Sequence, residues 1–463
     1  MSEQQNQQAP RLTRALPGQR AAAPARIVHV GVGNFHRAHQ AWYTHHAPDA
    51  DQWGIVGFTG RSAAMAEALN PQDGLYTLIT KGPEADEFEV ISSIIDARPA
   101  ADHESFLTHL ADPQVAIVTA TVTEQGWLAD TAADADILRG DVRAPVVSLP
   151  ARLFAGLHAR REAGAGALTI LSCDNLPGNG DVARDVVAAV TEQVDPSLAS
   201  WIDENVDFAT SMVDRITPAT TDDDRDRVAD ELGFDDASPV PTEPFSEWVI
   251  SGGFPAGRPA WEEAGATLVD DVEPFEQRKL WLLNGSHSLL AYCGSVLGHT
   301  TIAEAIADPR CRGWVESFWD EASAHLTLPA DSIAGYRQAL LDRFANPRIR
   351  HNLAQIAGDG SSKLPVRTLP TVRAERAAGR IPEGAATALA GWVLHLQGIG
   401  APVKDAEAGP YAQAADTDDV TAAVRGVLGL LDAELGADDD LVRAVAGRHA
   451  DLTGLAGSAS TGS

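Results

Sequence analysis

The chain has 463 residues, 44% of them hydrophobic, which is enough to bury a large core in two or three domains. Its 35 basic and 65 acidic residues leave a formal net charge of −30, which repels nucleic acid and anionic membrane surfaces. The three widely spaced cysteines, Cys173, Cys293 and Cys311, form neither a disulfide framework nor a zinc pattern, and no run of about 18 apolar residues is present.

Residues 1–24 are rich in Gln, Ala, Arg and Pro and are expected to form a flexible arm. They lack the apolar core of a signal peptide, so a cytoplasmic location is expected. Residues 26–30 read as a short apolar strand. It leads into Gly31-Val32-Gly33-Asn34-Phe35-His36-Arg37 and then a helix over 38–46. Strand, Gly-x-Gly and helix open a dinucleotide-binding fold, because the glycines allow a tight turn and a close approach of the pyrophosphate. Position 36 is His where a third glycine is usual, and the shortened motif is also compatible with a plain tight turn. On the dinucleotide reading Gly31, Gly33, Asn34, Phe35, His36 and Arg37 hold the cofactor. The alternative for His36 and Arg37 is that they pack the turn.

Strands are predicted over 53–58, 75–80, 88–95, 115–123 and 168–172, with helices near 102–111, 149–162 and 181–194 between them. The alternation predicts an α/β fold, a doubly wound Rossmann-type parallel sheet domain over 25–273. Ligands of such sheets gather at the carboxyl ends of strands. Thr123 and Glu124 fall at one such end. The polar run from Ser172 to Gly180, which includes Asn175, falls at another, and a third cluster runs from Met212 through Asp214 and Arg215 to Pro218. The bland readings are a turn for the second cluster and an ion pair for the third. An acid that would hold the ribose hydroxyls is missing after the second strand, where the chain reads Phe58-Thr59-Gly60-Arg61-Ser62. Arg61 there could stack on adenine or receive a ribose phosphate.

After Pro274 the pattern becomes helical, with segments near 275–294, 300–308, 311–325, 331–344, 348–357, 383–396, 418–435 and 439–448. This predicts a mostly α-helical C-terminal domain over 274–453 and a disordered Gly- and Ser-rich tail over 454–463. Lysine is scarce: four residues, Lys81, Lys279, Lys363 and Lys404, against 31 arginines. Lys279 sits beside an apolar run with Glu276 three residues before it. A desolvated lysine can act as a base near neutral pH, and the alternative is a surface lysine on a core helix. At 100° per residue, Glu276 lies about 60° from Lys279 around a regular helix, His287 about 80° and Asn284 about 140°, so all four fit within one broad face.

Several ordered blocks then converge. They are 31–40, 72–77, 121–124, 172–180, 212–218, 243–245, 279–287 and 359–367. Together they resemble the mannitol dehydrogenase family, the polyol-specific long-chain dehydrogenases/reductases that include the fructuronate reductases. The resemblance runs from about Arg26 to about Gln397. It implies metal-independent hydride transfer with a nicotinamide cofactor, NAD, with NADP not excluded. It implies Lys279 as general base, Asn175 and Asn284 bracketing the reacting oxygen, and Glu276 linked to proton exchange with solvent. Asp214, His287 and Lys363 match residues that hold the substrate chain, and Arg367 adds a cation beside Lys363. A basic residue that family members often carry eight positions before that lysine is Gln355 here. The first expectation is a polyol dehydrogenase that converts a mannitol-like polyol to its 2-ketose. The alternative is a hexuronate reductase of the fructuronate/mannonate type. A non-catalytic dinucleotide sensor would keep Gly31 and Gly33 and lose the base. The expected partners are a small polyol or sugar acid only, with no metal, nucleic acid or membrane, and the family implies a monomer.

Overall fold

Apolar residues on both faces of a strand suit the middle of a covered parallel sheet, and β1 (Ala25–Val30) is of that kind. The computed structural model describes residues 9–459 except Arg61 and Ala129, and the chain divides into two units, Met1–Glu273 and Pro274–Ser463. The strands that follow β1 in the first unit are β2 (Gly54–Phe58), β3 (Tyr76–Lys81), β4 (Asp86–Ile91), β5 (Ile94–Arg98), β6 (Ile117–Ala120) and β7 (Leu168–Ser172). They are followed by β8 (Val206–Asp214), β9 (Val240–Thr242), β10 (Glu247–Ser251) and β11 (Thr267–Leu268).

Eight strands form one sheet in the order β11-β10-β8-β7-β6-β1-β2-β5. The run from β5 through β2, β1, β6 and β7 to β8 is parallel throughout, and β10 joins it antiparallel to β8. Chain direction across the sheet reverses between β1 and β6. That reversal is the switch point at which doubly wound sheets bind ligands. Alternate residues feed two cores. Val28, Val30, Val118 and Ala120 meet Phe106, Leu153, Phe154 and Val187 on one face. Ile27, Ile55 and Ile117 meet Tyr43, Trp248 and Trp261 on the other.

The strand predicted over 75–80 and the first part of the one predicted over 88–95 do not join this sheet, while residues 94–95 begin β5, which does. β3 and β4 form an antiparallel pair, with β9 parallel to β3, in a separate three-stranded sheet. The buried Asp236 carboxylate explains the separation. It accepts from the Thr77 amide at 2.5 Å, from Gln72 Nε2 at 2.9 Å and from the Ser238 amide at 2.8 Å, tying the entry of β3 to the segment before β9.

The expected flexible arm is a correction over its described part, residues 9–24. Leu12 is fully buried and its amide donates to the Asp235 carbonyl. Arg14 donates to the Ser92 and Ile94 carbonyls at 2.7 and 2.9 Å, and its amide donates to Asp73 at 2.9 Å. At the other end a helix, Asp439–Ala459, continues past Gly454, where a disordered tail was expected. Residues 460–463 lie outside the described residues.

The second unit is helical. Its longest members are Pro309–Ser323, Ala330–Phe344, Glu383–Leu396 and the helix ending at Ala459. The stretch Glu273–Arg278, Lys279–Asn284, Gly285–Leu289 and Leu290–Gly294 winds continuously, but it is not a regular α-helix. Lys279–Asn284 and Leu290–Gly294 take the wider π-helical repeat. Among the described residues no helix is long and apolar enough to cross a membrane.

The Arg14 contacts lead to a prediction. Arg14→Ala leaves several carbonyls without their donor, at about 1–3 kcal/mol. It should lower the melting temperature by a few degrees and leave turnover per folded molecule unchanged. An unchanged melting curve would show that the segment contributes nothing to the fold.

Candidate active site

The turn after β1 is set by backbone geometry. Gly31 has φ of 103°, and a Cβ there would lie 2.1 Å from the Thr121 carbonyl oxygen, so no other residue fits. A Cβ on Gly33 would meet nothing closer than the Gly31 oxygen at 3.8 Å. The backbone is therefore crowded on the sheet side at Gly31 and open at Gly33, the arrangement a pyrophosphate needs for close approach. Asn34 donates to the Pro218 carbonyl at 3.0 Å and accepts from Arg37 Nη2 at 2.8 Å. Phe35 is half-buried against the His39 ring.

Of the two readings of His36 and Arg37, their surroundings favour packing for the side chains. Both side chains are buried. The Arg37 guanidinium donates to the Ser238 carbonyl, to Asn34 and to the Gly33 carbonyl. His36 stacks on His29, with ring centroids 3.3 Å apart, and burial holds its pKa well below the usual histidine value. A neutral, enclosed imidazole has no charge to offer a phosphate. Arg61, the other cation considered for the cofactor, lies outside the described residues.

Thr123, exposed, follows β6, and Glu124 starts the short turn after it. Beside them Asp174, directly after β7, organises the carboxyl edge. Its carboxylate accepts from the Val122 amide at 2.6 Å, Trp127 Nε1 at 2.6 Å and Ser172 Oγ at 2.9 Å, while its carbonyl accepts from Asn179 Nδ2 at 2.9 Å. Asn179 also joins Ser211 of β8 through both amide atoms, at 2.8 and 3.0 Å. Asn175, exposed, sits on the turn so fixed. Burial pushes the Asp174 carboxyl up to about 6 against the pull of its three donors. Asp214 closes β8 and is buried. Asp174 and Asn179 were not singled out from the sequence, although both stand in the polar run that drew attention to Asn175.

In the second unit, Glu276, Lys279 and Asn284 are half-buried along one helix and His287 is buried further on. Burial first, and then His351, Arg343 and Arg367, hold the His287 pKa well below its usual value. Its ring lies 5.0 Å from Phe344 and 4.9 Å from His351, centroid to centroid. Arg367 Nη1 reaches the Asn284 carbonyl at 3.5 Å and Ser288 Oγ at 3.3 Å, so the turn over 359–367 does meet the Lys279 helix. Lys363 is less free than a substrate clamp would be. Its ammonium donates to the Gly358 carbonyl at 2.6 Å and lies 3.8 Å from Asp359. His351 and Arg343 carried no motif that would mark them in the sequence.

No metal centre was expected, yet His299, Asp308 and Cys311 bring ligand atoms within 4.8 Å of one another. Asp308 is already an ion-paired helix cap, accepting from Arg310 Nη2 at 2.5 Å and from the Arg310 amide at 2.9 Å. That guanidinium competes with any cation at the carboxylate.

Two predictions come from this edge. Gly31→Ala should abolish stable folding or cofactor binding, whereas Gly33→Ala should keep the wild-type melting temperature and weaken dinucleotide affinity; equal effects in both would refute the assigned division. Asp174 binds its proton more tightly folded than unfolded. Its stabilising contribution is therefore fully present below about pH 4 and is lost as pH rises through about 6. The melting temperature of wild type minus that of Asp174→Asn should shrink from pH 4 to pH 7, and a constant difference would show that Asp174 does not titrate in that window.

Comparison with known proteins agrees with the geometry. Residues 25–263 match the mannitol dehydrogenase Rossmann domain and residues 271–450 the mannitol dehydrogenase C-terminal domain. The chain is 42% identical over 392 residues to the D-mannonate oxidoreductase of Escherichia coli K12, covering 81% of this chain and 80% of that protein. Among solved structures, the Pseudomonas fluorescens mannitol 2-dehydrogenase ternary complex with NAD and D-mannitol matches with a TM-score of 0.76 and 33% identity, over 95% of both chains. A substrate-free D-sorbitol dehydrogenase matches with a TM-score of 0.85 and 31% identity, over 97% of both chains. The chain is an oxidoreductase of the mannitol dehydrogenase family, with a Rossmann domain suited to a dinucleotide cofactor.

Proposed function

We propose that the protein transfers a hydride between NAD and a secondary alcohol carbon of an open-chain, mannitol-like polyol, giving the 2-ketose. The observation that carries this reading is the single helix that bears Glu276, Lys279, Asn284 and a neutral His287. The turn at Gly31 and Gly33 would hold the dinucleotide, which would supply the hydride acceptor. Lys279 is assigned the role of base for the hydroxyl proton, and Asn284 and Asn175 those of amide donors to the developing alkoxide. An amide donates without titrating, and each such contact lowers the barrier by a few kcal/mol, about 3. Glu276, nearly one helical turn before Lys279, is assigned the passage of the proton to solvent. His287 is kept neutral by burial, so one ring nitrogen can accept from a substrate hydroxyl. Asp214, Lys363 and Arg367 are assigned the substrate chain, with no metal ligand among them.

A second reading, a sugar acid such as an aldonate, draws support from two observations. Lys363 and Arg367 stand one turn apart on Gly360–Arg367, and cationic Arg343 and Arg367 both act on His287. The identity to D-mannonate oxidoreductase points the same way.

Following absorbance at 340 nm for polyols and aldonates crossed with NAD and NADP separates these readings. Mannitol turnover with NAD at least tenfold above mannonate is the expected result, and the reverse order would replace the first reading by the second. Lys279→Ala should lower kcat by about 10²–10⁴-fold and leave NAD affinity nearly intact. Wild-type rates in that variant would remove the base assignment.

A further inference from the structure

Lys279 and Asn284 are five residues apart. In a regular α-helix they would point about 140° apart, at opposite margins of one broad face. Over Lys279–Asn284 the backbone instead takes the i→i+5 repeat, which carries residues five apart toward the same side of the helix. Regular winding resumes at Gly285. The wide repeat is rare in isolation and is found mostly as single turns inside α-helices, so it needs local support.

That support comes from two buried side chains. Ser286 Oγ donates to the Leu282 carbonyl at 2.6 Å. The Trp319 indole Nε1 donates to the same carbonyl at 3.0 Å and to Ser286 Oγ at 2.6 Å. In an α-helix the Leu282 carbonyl would take the Ser286 amide, and a serine bonding back four residues competes with that bond and bends the helix. Gly285 makes room for the clamp, since a Cβ there would sit 2.5 Å from the Phe318 ring and 3.1 Å from the Arg367 carbonyl. Phe318 and Trp319 are neighbours on Pro309–Ser323, so one helix both crowds the segment and captures its carbonyl.

We propose that Trp319 and Ser286 are positioning residues that hold the widened turn over Lys279–Asn284 and so keep the base and the amide on one face. They act through Leu282 and touch no reactant. The inference rests on Lys279 being the base.

The test compares Ser286→Ala, Ser286→Thr, Trp319→Phe and Lys279→Ala in the full chain, with D-mannitol or D-mannonate as the alcohol and NAD as cofactor. Ser286→Ala and Trp319→Phe should lower kcat by about tenfold to a hundredfold, the range expected for a small misplacement of a reacting group. KM for NAD should stay within about twofold of wild type. The apparent pKa of the kcat profile should shift in both, and Ser286→Thr, which keeps the hydroxyl, should restore the wild-type rate and profile. A purely structural role would lower the melting temperature and leave kcat per folded molecule and the pH profile unchanged. Ser286→Ala removes a single oxygen. A folded Ser286→Ala with wild-type kcat and pH profile overturns the clamp, even where Trp319→Phe fails to fold. Loss of turnover in Lys279→Ala beside an unaffected Ser286→Ala sinks the clamp alone. Wild-type turnover in Lys279→Ala sinks the base assignment and the clamp with it.

Discussion

The Asp174 carboxylate is the contact on which the ligand-facing edge of the first unit depends. One buried group receives the Val122 amide after β6, the Trp127 indole and the Ser172 hydroxyl of β7. A buried carboxylate with three donors is costly to disturb, because removing one partner leaves charge without compensation in a low-dielectric setting. Through the Asp174 carbonyl and Asn179 the constraint extends to Ser211 on β8. Three neighbouring strands thus have their carboxyl ends fixed by one hydrogen-bonded group. The loops that carry Thr123 and Asn175 inherit that rigidity.

Arginine plays a matching part elsewhere, and the scarcity of lysine makes it visible. Arg160 donates to five backbone carbonyls, those of Leu110, Asp112, Ala165, Gly166 and Ala167. Arg215 joins the Ala38 and Glu243 carbonyls, and Arg37 joins Gly33 and Ser238. A planar guanidinium with five donors satisfies several converging carbonyls at once, which an ammonium on a flexible stem does less well. In a chain of net charge −30 these buried cations are structural staples.

Much of the fold was legible because it is written locally. Apolar runs, the Gly31/Gly33 turn and the change of period after Pro274 each depend on neighbours in sequence. The errors share the opposite cause. β3 and β4 read as members of the main sheet because nothing local reveals that Asp236, some 160 residues on, holds the entry of β3 elsewhere. For His36 and Arg37 the sequence left phosphate contact and packing open, because their partners at His29 and Ser238 lie outside the motif. The stretch with Lys279 and Asn284 was read as a helix but not as a widened one. Its repeat is imposed by Ser286 and by Trp319 on another helix, and a single sequence carries no mark of that. The residues proposed for catalysis stand out in the sequence by their spacing, and those proposed to orient them do not.

The small number of lysines also has a practical side. Lys81 is engaged by Asp224 at 2.5 Å and by Asp86, Lys363 is turned onto the Gly358 carbonyl, and Lys279 is half-buried. Lys404 is exposed on the second unit, close in sequence to Asp405, which caps Ser361. Acylating reagents, amine-coupled surfaces and lysine-specific proteases would therefore meet one exposed lysine, Lys404, beside three that are partly buried. Among the lysines, attachment would therefore favour Lys404, a bias set by composition alone.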